Sequence, residues 1–472
     1  LGFQGKQDEA MEAFHMALTL KPEFAEAYSG IGITLRNQDK LNEAIDAFHK
    51  ALAVKPDFAE AYINIGNTLA QQEKLDEAIN AYSKALLIRS DYAEAHYNMG
   101  NALKEQNKLD KAIDTYQKAL ALKPNFAQAY SNMGIALRDQ HKLDEAINVH
   151  KKAISLQPDS AEFHNNMSIA LLTNHQFEEG FLESEWRFKT PKPQVNKPIT
   201  SKPLWAGETN QIVFVWAEQG IGDEIMFASL IPELYKKCSK LFVQCDKRLI
   251  SLYERSFPSD ITFLSNGRVI TEEMYDYHTP IGSLARVFRA SEKSFSNGPN
   301  KFLYANNVQV NDLRQKILKG KNRKLVGISW KTNASSENAK SRNIALHELA
   351  PALASPETQL VCLQYGDVSR EIRELSKSLN IDIMQVHNID IRDDIDGLAS
   401  LIQACDRVVS TTNVTVHLAG ALGADVQALV PFATRWIWGR LDDFNGWYPS
   451  VTPYRQKRAD DWNSVLKSIR IN

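Results

Sequence analysis

Residues 59–92 read AEAYINIGNTLAQQEKLDEAINAYSKALLIRSDY, and the same pattern recurs every 34 residues through the first part of the chain. Three ladders of residues with that step carry the recurrence: prolines with one serine, glycines, and alanines. They are Pro22, Pro56, Ser90, Pro124 and Pro158; Gly32, Gly66, Gly100 and Gly134; and Ala44, Ala78, Ala112 and Ala146. The small residues mark places where two helices approach closely, and each proline ends a helix because it lacks a backbone N–H donor.

A helix–turn–helix unit of about 34 residues is typical of tetratricopeptide repeats, which stack into a curved solenoid with a groove suited to peptides. In residues 59–92 the pattern predicts helices over 59–70 and 75–88. Four full repeats begin near residues 25, 59, 93 and 127, and a degenerate repeat begins at Ala161. Because the chain opens inside a repeat, we expect further repeats to precede it. The repeat domain is predicted to occupy residues 1–190.

The composition narrows the possible classes of function. The 472 residues carry a formal net charge of −2, which gives no general electrostatic case for nucleic-acid binding. The longest apolar stretch, residues 418–433, is short for a membrane span and contains Asp425. The four cysteines form no metal-ligand pattern, which favours reduced thiols and a cytoplasmic location. We expect no nucleic-acid partner, no membrane span and no metal site.

A fourth ladder consists of asparagines on the first helix of successive repeats: Asn64, Asn98, Asn132 and Asn166. Each amide offers a donor and an acceptor, so a row of amides can bind the backbone of an extended peptide whatever its side chains. The alternative is that asparagine is simply common at this repeat position. The row resembles the asparagine ladder of O-GlcNAc transferase, and this resemblance implies that these residues bind a protein acceptor.

The chain changes character after the repeats. Residues 190–203 contain four prolines and predict an extended connector. Short apolar runs then alternate with helical patterns, first from residue 211 and again from residue 325. Two such series predict two Rossmann-like α/β lobes that face a cleft, with ligands at the carboxyl ends of the strands. The first lobe with its connector is placed at residues 191–318 and the second at 319–472.

Neither lobe contains the dinucleotide-binding glycine motif or a Walker loop, which argues against a dinucleotide enzyme or an NTPase. The first strand instead leads into the sequence EQGIGDEIMFA, residues 218–228. This segment resembles the first strand–turn–helix of bacterial tetratricopeptide glycosyltransferases, which join repeats to a heptosyltransferase-like domain of the two-lobed GT-B fold. Further segments share the resemblance in the same order: residues 186–187, 341–347, 412–423, 431–436 and 447–449.

The resemblance covers essentially the whole chain, and the layout looks most like flagellin glycosyltransferases. It implies a candidate general base at Asp223, after Gly222. A carboxylate that takes the proton of a Ser or Thr hydroxyl contributes roughly 10²–10⁴-fold to the rate. The alternative is a carboxylate that stabilises the start of its helix. Glu218 and Glu224 are the substitute carboxylates, and Gly220 and Gly222 let the backbone approach a substrate.

A glycosyltransferase without a metal needs cations or helix N-termini to hold the phosphate of its donor, and Lys331 and Arg342 match that need. Thr411, Thr412 and Asn413 are predicted to cap a helix, where hydroxyls and free backbone N–H groups make an anion site. The family usually carries aspartate at position 412, so Thr412 puts a carboxylate role there in doubt. His417 either touches phosphate or sugar, or packs inside its helix. The candidate donor-binding residues are Gly220, Gly222, Lys331, Arg342, Gln364, Thr411, Thr412, Asn413, His417 and Arg435.

These features predict a metal-independent, inverting protein O-glycosyltransferase that needs no bound cofactor. By resemblance, its donor is a nucleotide-sugar, such as a CMP-linked nonulosonic acid of the pseudaminic acid type, and its protein acceptor is flagellin. Two alternatives stay open. One is a non-catalytic tetratricopeptide adaptor whose α/β part has lost turnover. The other is a lipopolysaccharide heptosyltransferase, for which a long peptide groove has no use.

Overall fold

The computed structural model describes residues 2–190, 197–268, 270–296, 298–332, 341–433, 436–439 and 446–469, with side chains from residue 6 onward. The chain divides into two compact units, Leu1–Met167 and Ser168–Asn472. This division follows packing, since Phe177 and Phe181 belong to the hydrophobic core of the second unit. The limits at residues 190 and 318 follow the sequence pattern and stay predictions.

The first unit is a succession of helix pairs. In the second full repeat the helices span Ala59–Gln71 and Leu75–Ile88, in agreement with the predicted 59–70 and 75–88. The helices α1 to α10 span Gly2–Leu20, Ala25–Asn37, Leu41–Val54, Ala59–Gln71, Leu75–Ile88, Ala93–Glu105, Leu109–Leu122, Ala127–Asp139, Leu143–Leu156 and Ala161–Thr173, of which the last runs across the unit boundary.

The glycine ladder marks the closest approach within each helix pair. A Cβ atom placed on Gly66 would lie 2.5 Å from the ring of Tyr82, and one on Gly100 would lie 2.7 Å from Tyr116. Gly32 and Gly134 face Phe48 and His150 in the same way. A side chain at these positions would displace a ring, so the ladder is set by packing.

The turn inside each pair places one residue in the left-handed region. Its φ values are 60°, 62°, 56° and 60° in successive repeats, at Asp39, Glu73, Asn107 and His141. The following N–H then bonds to a carbonyl near the end of the first helix, as Lys74 N–H does to Leu69. This geometry ends a helix and usually takes glycine.

The second unit is an α/β structure with two parallel sheets in its described residues. The strands β1 to β10 span Gln211–Trp216, Cys238–Cys245, Thr262–Ser265, Tyr277–Pro280, Lys324–Ser329, Thr358–Cys362, Ile383–Met384, Arg407–Thr411, Val426–Val430 and Val451–Arg455. Their orders are β3-β2-β1-β4 and β10-β9-β8-β5-β6-β7. Every pairing is parallel. The predicted α/β architecture is therefore confirmed at this level.

Helices connect the strands. Those of the second unit, α11 to α22, span Phe177–Ser184, Ile221–Ala228, Ile231–Tyr235, Ile250–Ser256, Leu284–Phe288, Glu292–Phe295, Asn307–Leu318, Leu346–Leu353, Ser369–Leu379, Ile395–Ala404, Val414–Ala421 and Trp462–Ser468. Two of the four edge strands, β4 and β10, were not predicted. Each contains a proline, Pro280 or Pro453, and neither is a continuous apolar run. Proline is tolerated at a sheet edge, where its nitrogen need not donate to the ladder.

Candidate functional site

The starts of helices α12 and α21 meet beside the carboxyl ends of strands β1 and β8. A Cβ atom on Gly222 would lie 3.2 Å from Cδ2 of His417, so the first turn of α12 contacts the imidazole of α21 directly. Asp223 is the next residue of α12 and is partly exposed. The structure thus brings together three of the predicted site residues, Gly222, Asp223 and His417.

Tyr448 joins this group, although no role was predicted for it. Its hydroxyl lies 3.1 Å from Nδ1 of His417, and both side chains are buried. Burial, together with the negative charge of Asp223 nearby, raises the pKa of the Tyr448 hydroxyl well above its usual value. The tyrosine therefore stays neutral beside the carboxylate.

Glu224 points away from this group, into the interior. Its Oε2 accepts a hydrogen bond of 2.8 Å from the backbone N–H of Asp246, at the carboxyl end of β2. Burial raises the pKa of Glu224, and the hydrogen bond from Asp246 opposes the rise. The nearby carboxylates of Asp246 and Asp223 raise it further, and the resulting pKa is about 7. Glu224 therefore has the proton affinity of a general acid or base, but the residue is only 3% exposed.

Glu218 is held in an ion pair. Nε and one terminal nitrogen of Arg187 donate to the two carboxylate oxygens of Glu218, and both hydrogen bonds are 2.8 Å long. The backbone N–H of Gly282 donates to one of the same oxygens, and the side chain has no exposed surface. Both oxygens are thus occupied by protein donors. This geometry favours Asp223 over Glu218 as the base.

Asn413 organises the start of α21. Its Oδ1 accepts from the N–H of Thr415, which makes it the N-cap of the helix. Its Nδ2 donates over 2.8 Å to the hydroxyl of Ser329, at the end of β5. The carboxyl ends of β5 and β8 are therefore tied together at this helix start. The hydroxyl residues Thr411 and Thr412 immediately before it are buried.

Two predicted donor-binding residues, Gln364 and Lys331, bind to other protein groups near the carboxyl ends of strands β6 and β5. Oε1 of Gln364 accepts from the N–H groups of Trp330 and Lys331, each over 2.9 Å, and its Nε2 donates to the carbonyl of Lys331. Nζ of Lys331 lies 2.7 Å from Oε2 of Glu371 in a partly exposed ion pair. Gln364 thus shapes the loop that carries Lys331.

The cation Arg342 lies beside the helix start. One of its terminal nitrogens donates over 3.2 Å to the carbonyl of Thr412. Arg435, the remaining predicted cation, lies outside the described residues. The turn that contains Gly220 leaves open space: a Cβ atom there would meet only Oδ2 of Asp223 among the described residues, at 4.0 Å.

The asparagine ladder lies in the first unit, and its amides bind to neighbouring repeats. Nδ2 of Asn98 donates over 3.0 Å to Oδ1 of Asn67, and Nδ2 of Asn132 donates over 2.8 Å to Oδ1 of Asn101. The other two members have different partners. Asn166 donates to Ser131, and Asn64 accepts from Arg36 over a long 3.5 Å. All four amides remain partly exposed.

A second row, Asn67 and Asn101, was not predicted from the sequence. Each accepts from a tyrosine of the same repeat, Tyr82 over 2.8 Å and Tyr116 over 2.7 Å. The same oxygens accept from Nδ2 of Asn98 and Asn132, so each Oδ1 of this row takes two hydrogen bonds. The signal was available, because these asparagines and tyrosines both recur at the step of the repeat.

No metal centre or membrane-crossing helix emerges from the part of the chain that the structure describes. It contains no group of three or more His, Cys, Asp or Glu side chains placed to hold a metal ion. Among these same residues, no helix has both the length and the apolar character that a bilayer crossing requires.

Comparison with known proteins identifies the repeats. A family model described as TPR repeat matches residues 32–73, 66–107, 100–140 and 134–174. The first unit is therefore built of tetratricopeptide repeats, as predicted. The solved structure of MamA is 29% identical with a TM-score of 0.31 and covers 34% of this chain and 94% of its own. YrrB, whose structure is titled "a TPR protein with an unusual peptide-binding site", is 24% identical with a TM-score of 0.33, covering 38% of this chain and 93% of its own.

The match to one curated relative is longer than the stretch of repeats. Protein FlbA of Caulobacter vibrioides (strain ATCC 19089 / CIP 103742 / CB 15) is 29% identical over 283 residues, which is 56% of this chain. The match covers 47% of FlbA, so the chain spans about half the length of this relative. The chain is thus similar to FlbA and contains tetratricopeptide repeats followed by an α/β unit with two parallel sheets.

Proposed function

We propose that the protein is a glycosyltransferase of the GT-B type that moves a sugar from a nucleotide-sugar to a Ser or Thr hydroxyl of a protein. One observation carries the proposal: the first turn of α12, with Asp223, lies directly against His417 of α21, whose start is capped by Asn413. A base and a phosphate-binding helix start are thereby close enough to act on one substrate pair.

The donor phosphate is held at the start of α21 in this proposal. Free N–H groups of a helix start attract anions, and Arg342 is fixed beside them by the carbonyl of Thr412. Lys331 supplies a second cation when it exchanges Glu371 for the phosphate. That pair is partly exposed, so the exchange costs little. The predicted roles of Thr411, Thr412 and His417 belong to the same site.

The transfer step needs one proton acceptor. Asp223 takes the proton of the hydroxyl while its oxygen attacks the anomeric carbon, and the bond from that carbon to the phosphate oxygen breaks. The electron pair leaves with the nucleotide, and the attack from the opposite face inverts the configuration. The partly exposed amides of Asn64, Asn98, Asn132 and Asn166 bind the backbone of the acceptor protein, for which flagellin is the proposed identity.

A non-catalytic adaptor is the second candidate, and specific contacts favour it. Glu218 is locked to Arg187, Lys331 is paired with Glu371, and position 412 is a threonine. Two of the predicted site side chains, Glu218 and Lys331, are thus already paired within the protein, and the carboxylate that the family usually carries at position 412 is absent. In an adaptor, the repeats bind a protein and the α/β unit does not turn over.

Nucleotide binding and transfer separate the two candidates. We expect one of CMP, UDP, GDP and ADP to raise the melting temperature of the full chain, because a ligand that binds only the folded state stabilises it. With a matching nucleotide-sugar, intact mass spectrometry should show mass added to flagellin. Asp223→Asn should keep the thermal shift and lose transfer by about 10²–10⁴-fold.

Asp260→Asn is the matched control, since Asp260 is a surface carboxylate that accepts from Tyr235 and lies outside the site. It should transfer as the unaltered protein does. If no nucleotide shifts the melting temperature and no donor adds mass, the adaptor stands and the glycosyltransferase does not. If Asp223→Asn retains full turnover, the base is another carboxylate.

A further inference from the structure

A pocket lies beside helices α4 and α5 in the second full repeat. Its volume is about 430 Å³, within the range of about 300–1,000 Å³ that is typical of ligand pockets. The residues that line it include three apolar or aromatic side chains of α4 and three charged side chains of α5: Tyr62, Ile65, Leu69, Asp76, Glu77 and Lys84. Neither the sequence patterns nor the proposed function gives these residues a role.

The pocket lies on the side of α4 that faces away from the asparagine ladder. Successive residues of a helix are rotated by about 100°, so Tyr62, Ile65 and Leu69 share one side of α4. By the same rotation, Asn64 and Asn67 lie on roughly the opposite side of this helix. The pocket is therefore a surface separate from the amides that are proposed to bind the backbone of the acceptor.

Glu77 is the carboxylate of the pocket that the protein leaves unpaired. It is exposed, and it has no hydrogen bond or ion pair among the described residues. Asp76 instead accepts over 2.9 Å from Gln106 and lies 3.7 Å from Nζ of Lys108. Lys84 lies two helical turns from Glu77, and its Nζ is 5.9 Å from the centroid of the Tyr62 ring. The acidic end of the pocket can therefore take a cation from outside the protein.

We propose that this pocket binds an arginine side chain of a protein partner. The methylene groups of the arginine pack against Ile65 and Leu69, and its guanidinium forms an ion pair with Glu77. Arginine fits better than lysine, because its planar, weakly hydrated guanidinium matches a carboxylate and packs on an aromatic ring such as that of Tyr62. The repeats thus have a second protein-binding surface, and its role does not depend on glycosyl transfer.

The other repeats supply the variants for a test. Lys111 occupies the position of Glu77 in the third repeat, so Glu77→Lys introduces a residue that helix α7 already carries there. This variant reverses the charge in the pocket and should fold as the unaltered protein does. Glu145 occupies the same position in the fourth repeat, and it is exposed. Glu145→Lys is therefore the matched control, with the same substitution outside the pocket.

Methyl NMR on the full chain measures binding at the pocket itself. The methyl groups of isoleucine and leucine are labelled with ¹³C, and the signals of Ile65 and Leu69 are assigned by their loss in Ile65→Val and Leu69→Met. The probe N-acetyl-arginine amide should shift both signals with a Kd of about 1–10 mM, as expected of so small a ligand. Glu77→Lys should weaken this affinity about tenfold, and Glu145→Lys should leave it unchanged.

Further probes separate arginine from other occupants. The amides of N-acetyl-glutamine and N-acetyl-glutamate, which are neutral and anionic, should each bind more weakly than the arginine derivative. An acetylated Leu-Arg-Leu amide should bind more tightly, since the pocket offers apolar surface beside Glu77. The proposal is overturned if the arginine derivative shifts neither signal, if the neutral or anionic probe binds as tightly, or if the tripeptide binds no better. Equal losses of affinity in Glu77→Lys and Glu145→Lys would also overturn it, because overall charge would then explain the binding.

Discussion

The two units satisfy their buried polar groups in different ways. In the repeats, one bond recurs at a fixed step: Tyr82 donates to Asn67, and Tyr116 of the next repeat donates to Asn101. In the α/β unit, the buried pair of Arg187 with Glu218 joins two different elements and belongs to no repeating series. The repeat contacts can therefore be compared with one another as internal controls, whereas each contact of the α/β unit must be judged alone.

Breaking the buried ion pair should give the largest effect. Arg187→Met leaves the carboxylate of Glu218 buried without its main partner, which should lower the free energy of unfolding of the α/β unit by about 3–5 kcal/mol. Urea titration followed by tryptophan fluorescence measures it. Adding Glu218→Gln should recover part of the loss, because no charge is then buried alone.

The same substitution in the repeats sharpens the contrast. Arg89 pairs with Glu60 over 2.9 Å, but the two side chains are 43% and 40% exposed. Arg89→Met should therefore change the free energy of unfolding by less than about 1 kcal/mol. Equal losses for the two arginine variants would show that burial does not separate these two kinds of ion pair.

Glycines offer the second comparison. Gly100→Ala forces a Cβ atom to within 2.7 Å of the ring of Tyr116 and should cost the repeat unit about 1–3 kcal/mol. Gly220→Ala places its Cβ 4.0 Å from the nearest described atom, so it should change the stability by less than about 0.5 kcal/mol. Calorimetry of both variants measures this difference. A large loss for Gly220→Ala would mean that its turn tolerates glycine alone.

The contrast also explains what could be predicted from the sequence. The repeat helices were predicted because the same residue types mark the same packing positions in each repeat, as Gly66 and Gly100 do. The central strands were predicted because they are buried apolar runs, such as Val426–Val430. Two edge strands, β4 and β10, were missed because each contains a proline and neither is a continuous apolar run, whereas the edge strands β3 and β7 were predicted.

At the site, residue type was visible but partnership was not. The position of Asp223 after Gly222 could be read from the turn, whereas the capture of Glu218 by Arg187 depends on a 3-10 turn, Glu185–Lys189, from outside the strand–helix series. Tyr448 lies far from His417 along the chain, with no repeat to point to it. Such contacts arise from tertiary packing, which a single sequence without a periodic pattern does not display.

His150 is an exception within the repeats. It occupies the position of Tyr82 and Tyr116, yet neither ring nitrogen has a hydrogen-bond partner among the described residues. Burial, with a smaller effect of Arg138, lowers the pKa of His150 from 6.5 to about 3. His150→Phe restores the residue type of Phe48 at this position and should stabilise the repeat unit by about 1 kcal/mol at pH 7.

The pH dependence follows from the lowered pKa of His150. Above pH 6.5 the imidazole is neutral in both states, so its contribution to stability is complete there. Between pH 6.5 and about 3 the unfolded chain binds a proton at this imidazole and the folded chain does not. The free energy of unfolding therefore falls by about 1.4 kcal/mol for each unit by which the pH is lowered in this range. His150→Phe should remove this slope. Parallel pH profiles of the two proteins in calorimetry would contradict the assignment.

A small predicted effect concerns the turn inside each repeat. Glu73 has φ of 62° and Asn107 has φ of 56°, in the left-handed region where an ordinary side chain costs about 1–2 kcal/mol. Glycine avoids that cost but loses more entropy on folding, by roughly 0.5–1 kcal/mol. Glu73→Gly should therefore stabilise the repeat unit by about 0.5 kcal/mol. Asn107→Gly should gain less, since asparagine tolerates this conformation. If calorimetry shows the larger gain at Asn107, the strain at these turns is not set by the side chain.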